Sequence, residues 1–310
     1  MAHISVLLHE SIEGLDIHDG DIFVDGTLGD GGHSAEVIRK FGNKVTVVGI
    51  DRDQDAINRV TERFAAEITA GQNSGSQKVF LKQGNFRDVA SVLESVGFTH
   101  AQRFLFDIGI SSRQFEESGR GFSFKKDEPL LMTFEKDKRA ENGGTGVTAR
   151  EVVNEWQEEN LAQIIYGFGE ERHSRKIAKG IVEARGKAPI ETTGELVEII
   201  KNSTPFYYHH GKIHPATRTF QAIRIAVNDE LGAITEGLKS AWKLLTPGGR
   251  IAVISFHSLE DRIVKQYFNE LKIEGIGKVI TKKPITASEE ELEANPRSRS
   301  AKLRIIEKVS

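Results

Sequence analysis

The segment Val24-Asp25-Gly26-Thr27-Leu28-Gly29-Asp30-Gly31-Gly32-His33 places four glycines within seven residues, after an apolar β-type run and ahead of a helical stretch. Backbone without Cβ atoms turns tightly and lets a ligand approach the main-chain amides closely. No Gly-Lys-Ser/Thr follows, which disfavours the phosphate-cradling loop of nucleoside triphosphate hydrolases. Twenty residues beyond Gly31, Asp51 closes the next apolar run, Val47-Val48-Gly49-Ile50-Asp51. At that distance an acid meets ribose hydroxyls in nucleoside-binding α/β folds, its carboxylate accepting both protons. Helix capping is the competing role, and Asp53 or Asp55 suits it better. A third group, Asp107-Ile108-Gly109-Ile110-Ser111-Ser112-Arg113-Gln114, ends another apolar run. There Asp107 either caps a turn or faces a reacting group. His209-His210-Gly211-Lys212 has no Cys or spaced partner and reads as a solvent loop; no metal site is expected.

These groups need elements to hold them. Residues 1–110 alternate short apolar runs with helical periods, the pattern of a parallel sheet with crossover helices. Strands are expected at Ile22–Asp25, Val45–Asp51, Val79–Lys82 and Phe104–Asp107. Helices are expected at Ser34–Phe41, at Gln54–Ile68 and from an Asp88 cap to Gly97, with Gly71–Gln77 a polar loop. From about Gly109 to Pro215 the β/α rhythm stops. Helices are expected there at Glu151–Tyr166 (after a capping box from Thr148 to Glu151), Arg172–Arg185 and Gly194–Asn202. The alternation resumes with helices Pro215–Val227 and Glu230–Leu245, a turn at Pro247-Gly248-Gly249, strand Arg250–Ser255 and helix Leu259–Leu271. Strands Lys278–Thr281 and Lys302–Glu307 close the chain. The expectation is an α/β core from 1–110 and 216–310, interrupted by a helical insert, 111–215. In open α/β sheets ligands sit beyond the carboxyl ends of the strands, so an insert sprouting there can roof the pocket.

Composition narrows the classes. The chain has 310 residues, 38% hydrophobic and 28% charged, with 30 Gly and 7 Pro, as a folded soluble protein does. No apolar run approaches the roughly 20 residues of a membrane helix, and no signal peptide opens the chain. Zero cysteine excludes disulfides, Cys-based metal sites and thiol catalysis, and a cytoplasmic location is expected. Net charge is −3, so nucleic-acid contact must come from local patches. Glu170–Lys187 carries six basic residues (Arg172, Arg175, Lys176, Lys179, Arg185, Lys187) against three acids, and Pro296–Arg304 carries Arg297, Arg299, Lys302 and Arg304 with no acid. Either patch is also readable as an ordinary solvated face.

The glycine loop and Asp51 suit a dinucleotide or S-adenosylmethionine. The last two strands, joined without a crossover helix, should pair antiparallel. That end is foreign to dinucleotide-binding domains and is the mark of S-adenosylmethionine-dependent methyltransferases. A nicotinamide-dependent oxidoreductase is the weaker alternative.

At this point the chain resembles the bacterial 16S ribosomal RNA cytosine-N4 methyltransferase family. The matching segments run nearly end to end: His3–Leu8; Asp25–Ser34; Asp107–Gln114 with Arg120-Gly121-Phe122-Ser123-Phe124; Phe168–Arg172; His214–Gln221; Pro247–Arg250 through Ser255–Arg262; and Asn295–Ala301. The resemblance implies a class I methyltransferase: a Rossmann-like seven-stranded sheet with an antiparallel C-terminal hairpin and an inserted helical domain. It implies methylation of a cytosine in the decoding centre, with S-adenosyl-L-methionine as cofactor. Cofactor contacts map onto Gly31, Gly32, His33, Asp51, Phe86 (in Gly84-Asn85-Phe86), Asp107 and Gln114. The partner implied is 16S rRNA within the small ribosomal subunit; a second copy of the chain stays open as another.

Phe86 offers an apolar face to adenine or serves as a core aromatic. Asp107 is the candidate hydrogen-bond acceptor for the cytosine amine, since the Asn/Asp-Pro-Pro-aromatic turn of many amino-methyltransferases is missing. Arg172, Lys176 and Lys179 fall at i, i+4 and i+7, a phosphate-binding stripe with Arg175 beside it, over a face buried through Ile177 and Ile181. His214, Arg218, Arg224 and His257 are the further candidate RNA contacts. One segment departs from the family. Where it has Gly-Pro-Leu-Asp-Met-Arg-Met-Asp, this chain reads Glu128-Pro129-Leu130-Leu131-Met132-Thr133-Phe134-Glu135. That departure alone supports the other reading, a catalytically impaired RNA-binding or ribosome-assembly factor.

Overall fold

The computed structural model describes residues 5–109, 115, 118–134, 146–211 and 213–309. The chain divides into two compact units, Met1–Gly109 with Leu231–Ser310, and Ile110–Glu230. The boundary expected after residue 215 falls instead after Glu230. Helix Thr217–Asn228 belongs with the second unit because Ala216, Phe220 and Ile223 are buried in that unit's own core.

The first unit is built on seven strands: β1 (Ile22–Asp25), β2 (Thr46–Asp51), β3 (Val79–Gln83), β4 (Ala101–Asp107), β5 (Leu245–Ser255), β6 (Gly277–Val279) and β7 (Lys302–Lys308). Their order is β3-β2-β1-β4-β5-β7-β6. The first five run parallel, and β7 is antiparallel to both β5 and β6. Central β1 is buried along its whole length, as a strand covered on both faces must be.

On one face Val24, Phe104, Phe106 and Val253 meet α5 (Val89–Ser95), α11 (Glu230–Leu244) and α12 (Ser258–Ile273). On the other, Phe23, Leu105 and Ala252 meet α1 (Leu8–Leu15) and α2 (Gly32–Phe41), while α3 (Gln54–Arg63) packs Ile57 and Val60 near Val79. Alternate residues of one strand thus feed opposite cores. Register aligns the carboxyl ends: Asp25 pairs with Gly49 and Leu105, and Asp107 with Ile254.

Three local expectations are corrected. The helix expected over Gln54–Ile68 is two, α3 and α4 (Ala65–Ser74), broken at buried Phe64; residues 71–74, expected as loop, are helical. The Pro247-Gly248-Gly249 turn lies inside β5 as a bulge, where Gly248 takes φ +78° and the register jumps between Ala101 and Arg103. The basic patch at 296–304 is not one surface, because Arg304 is buried and bonded by Asp261 at 2.6 and 3.2 Å.

The second unit contains α6 (Ala149–Glu155), α7 (Glu158–Gly167), α8 (Ser174–Arg185), α9 (Thr193–Ser203) and α10 (Thr217–Asn228). The helix expected at Glu151–Tyr166 breaks at Trp156, whose backbone is extended. The Thr148–Glu151 capping box is present. Among the described residues this unit has no strand, only the bridge from Pro129 to Thr192. No described helix of either unit is long and apolar enough to cross a membrane.

Candidate active site at the strand ends

The glycine loop is pinned from both neighbouring strands. The Gly26 amide donates to the Leu105 carbonyl and the Leu28 amide to the Ile50 carbonyl, each at 2.9 Å. Gly29 and Gly31 have φ of +53° and +72°, the left-handed region where a side chain is strained. At Gly32 a Cβ would come within 1.9 Å of the Ser5 hydroxyl. The first turn of α2 therefore starts on backbone alone, its amides directed along the helix axis. His33 differs from its neighbours: the ring is buried, with Nε2 3.2 Å from the Val6 carbonyl. Its side chain holds the loop to the N-terminal segment, which leaves the backbone amide as the part a ligand would use.

Asp51 closes β2 and accepts hydrogen bonds from the Gly29 amide (2.7 Å) and the Asp53 amide (2.8 Å). Its carboxylate thereby fixes the loop's shape while keeping lone pairs for further donors. Capping of α3 falls to Asp53, which accepts from the Asp55 amide. Phe86 follows Asn85, whose side chain caps the short turn Phe86–Asp88. Its half-buried ring lies 5.4 Å from that of Phe106, and a Cβ on Gly237 would meet it at 2.5 Å. Phe86 is thus seated on core groups. Gln114 lies outside the described residues.

The electrostatics of the strand ends are lopsided. Asp25 is buried, accepts from the Ser34 hydroxyl (2.7 Å) and the Thr27 amide (3.3 Å), and is still pushed up to about 6 by burial. Asp107 is pushed further, to about 8, by burial and by Asp25 and Glu260. Burial raises Asp51 as well. The Asp107 amide donates to the Thr27 hydroxyl at 2.6 Å, but the Asp107 Oδ1 is buried without a hydrogen-bond partner among the described residues. An unsatisfied buried carboxyl oxygen costs free energy and is retained where something else meets it.

Glu260, fully buried in α12, accepts from the Phe256 amide (2.8 Å) and the His257 amide (3.2 Å), and His257 Nε2 is 3.0 Å from its other oxygen. Thr27, Asp25 and Glu260 were not among the expected site residues. Glu260 has a readable signal, its position three residues beyond His257 at a helix start. Thr27 has none, because its partner is 80 residues away.

Of the RNA candidates, His257 belongs to the first unit and the rest to the second. Arg175, Lys176 and Lys179 stand exposed on α8, Lys179 with Glu183 at 3.6 Å, while Ile177 and Ile181 are buried. Arg172 precedes the helix, so the expected stripe bends there, and its guanidinium lies 5.1 Å from the Tyr208 ring. His214 stacks on Phe124 at 4.6 Å; burial, Lys201 and His209 lower its pKa. Arg218 donates to the Glu170 carbonyl at 3.2 Å. Arg224 is gripped through two bonds of 2.8 Å by Glu230 and is largely buried.

This strand order, with β7 reversed between β5 and β6 and a glycine loop and acids at the carboxyl ends, defines a class I S-adenosylmethionine-dependent methyltransferase fold. The chain belongs to the MraW methylase family, whose model matches residues 1–309. It is 47% identical over 309 residues to the ribosomal RNA small subunit methyltransferase H of Deinococcus radiodurans, covering 100% of this chain and 90% of that protein. Proteins of the same name from Symbiobacterium thermophilum and Brevibacillus brevis are 45% and 43% identical, with 99% of this chain and 96% and 98% of theirs covered.

Proposed function

We propose that the protein transfers the methyl group of S-adenosyl-L-methionine to the N4 amine of a cytosine in the decoding centre (P-site region) of 16S rRNA. The relatives' shared name supports the substrate. The observation that carries the chemistry is Asp107: a buried acceptor without a partner among the described residues, beside further acids, fits a ligand bearing positive charge and N–H donors. The residues present fit the cofactor. Gly31, Gly32 and the His33 amide would take its amino-acid end, Asp51 its ribose hydroxyls, Phe86 its adenine, and Asp107 with Gln114 the region of the transferred group. Bound there, S-adenosylmethionine supplies an electrophilic methyl group.

The chain's own task is to orient a poor nucleophile, since the cytosine amine delocalises its lone pair into the ring. Asp107, as a carboxylate, accepts a hydrogen bond from that amine and is placed to take the proton the amine loses. The second unit supplies RNA contacts through Arg172, Arg175, Lys176, Lys179, His214 and Arg218. Arg224, committed to Glu230, acts there by positioning. His257 is the first unit's contact. A target base in structured RNA must leave its stack to be reached. Function in the cytoplasm, on the small subunit, follows from the same reading.

The impaired-factor alternative rests on Leu131 and Thr133, where the family pattern has Asp and Arg; Leu131 is exposed and Thr133 half-buried, while the residues around them are held in place. Leu130, Met132 and Phe134 are core residues of the second unit, and the Glu128 carboxylate accepts from the Gly121 amide at 2.9 Å. The departures at Glu128 and Phe134 are therefore integrated structurally; Glu135 lies outside the described residues. Transfer of tritiated methyl to small subunits lacking the modification tests the function. N4-methylcytidine in the hydrolysate is the expected product. Cofactor binding without transfer to subunits, free 16S rRNA or assembly intermediates would favour the impaired factor.

A further inference from the structure

The turn following α9 displays two aromatic rings to solvent on a rigid mount. Pro205 opens a short 3-10 segment, Phe206–His210. Two of its side chains look inward. The Tyr208 hydroxyl donates to the buried Glu171 carboxylate at 2.5 Å, and its ring meets His173 edge-on at 5.0 Å with the Arg172 guanidinium 5.1 Å away. His209 Nε2 lies 3.0 Å from the Thr204 hydroxyl and 3.1 Å from the Lys201 carbonyl. The other three point out: Phe206 is 76% exposed and Tyr207 65%, and His210 is exposed beside them. The His210 ring stands edge-on to Phe206 at 4.7 Å. A turn anchored at both inward positions cannot readily rotate its outward rings under cover, so their exposure is built in.

We propose that Phe206 and Tyr207 form a stacking platform for unpaired bases of the RNA substrate. This rests on the reading of the protein as an RNA methyltransferase and deepens it, assigning a single-stranded segment to a defined surface. The tie to Arg172 links the platform to the cationic start of α8, where Arg175 and Lys176 are exposed. Flat rings beside arginine and lysine suit a polyanion with π-faces: phosphates meet the cations and bases meet the rings. The sugar-phosphate contacts give salt dependence, whereas stacking does not. The two contributions can therefore be separated.

The test uses full-length protein with a labelled unpaired oligoribonucleotide and with small subunits as methyl acceptor. The Phe206→Ala/Tyr207→Ala variant should bind the oligonucleotide roughly tenfold or more weakly per stacked base. Its KM for subunits should rise with kcat and cofactor affinity unchanged, and the slope of log affinity against log salt should stay that of wild type. Phe206→Tyr/Tyr207→Phe should restore binding. In wild-type protein, ultraviolet cross-linking of a 5-iodouridine-substituted oligonucleotide should map to these two rings, a readout that does not depend on variant folding. Wild-type RNA affinity in the double alanine variant, or cross-links only elsewhere, overturns the proposal. So does a variant that loses only self-association in sedimentation, which would make the platform a contact between two copies. If wild-type protein methylates no RNA, the functional reading fails, and the cross-link alone decides the platform.

Discussion

The Asp107 carboxyl, raised to about 8 by burial and by the neighbouring Asp25 and Glu260, is about nine-tenths protonated at pH 7 when no cation shares the crevice. A ligand bearing a sulfonium favours the carboxylate, so binding expels the proton. The ionised fraction is about one hundredth at pH 6, one tenth at pH 7 and one half at pH 8. Apparent affinity follows that fraction, rising about fifty-fold from pH 6 to pH 8 and levelling off above about pH 9.

Calorimetry at pH 7, in two buffers of different ionisation enthalpy, should count about 0.9 proton released per S-adenosylmethionine bound. Asp107→Asn has no proton to release, so its profile reads the background from the ligand's own amino group, which titrates near about 8. Equal heats in both buffers for wild type, with affinity flat from pH 6 to pH 8, would refute the reasoning. So would full turnover by Asp107→Asn, which would remove the residue from the chemistry.

The same shift has a consequence for the ligand-free protein. The folded value lies above the ordinary 3.8, so this carboxyl's contribution to stability is full below about pH 4 and is lost as pH rises through about 8. Asp107→Asn should therefore melt above wild type at pH 8.5 and level with it near pH 4.

Replacing Lys176 and Lys179 by Glu should weaken RNA binding and make the salt slope shallower by roughly one to two units, with cofactor affinity unchanged; an unaltered slope would show that α8 makes no phosphate contacts. Asp261→Ala strands the buried Arg304 guanidinium, bonded at 2.6 and 3.2 Å, and should cost about 3–5 kcal/mol in denaturant unfolding with the m-value unchanged. A loss under about 1 kcal/mol would mean that water reaches Arg304.

Much of the first unit was legible because its signals are local. Four apolar runs ending in Asp25, Asp51, near Gln83 and in Asp107 show up as strands, and the glycine cluster sits where a β1–α2 turn must pass under a neighbouring strand. The reversed final strand could be inferred because the polar stretch between β6 and β7 shows no apolar helical period for a crossover; its helix, Glu289–Ala294, has six residues and buries none of them. Less legible were the interruptions. Phe64 looks like one more apolar position of a continuous helix, yet its burial beside Val79 ends α3 there. Pro247-Gly248-Gly249 looks like a turn between elements, yet pairing with β4 resumes on both sides of it.

Charge taught the same lesson. Arg224 and Arg304 have the residue type of RNA ligands, but carboxylates six and 43 residues away claim them. His33 has the type of a ligand group and serves a carbonyl 27 residues back. By itself the sequence determined the class of sheet, the glycine turn and the acids at its strand ends, because periodicity and turn chemistry act over a few residues. Only the tertiary structure decided which charges are spent internally, that Asp107 is left as a buried acceptor, and that Phe206 and Tyr207 stay outside while Tyr208 is tied down. Those outcomes depend on pairings between distant segments, and on the cost of burying charge among them.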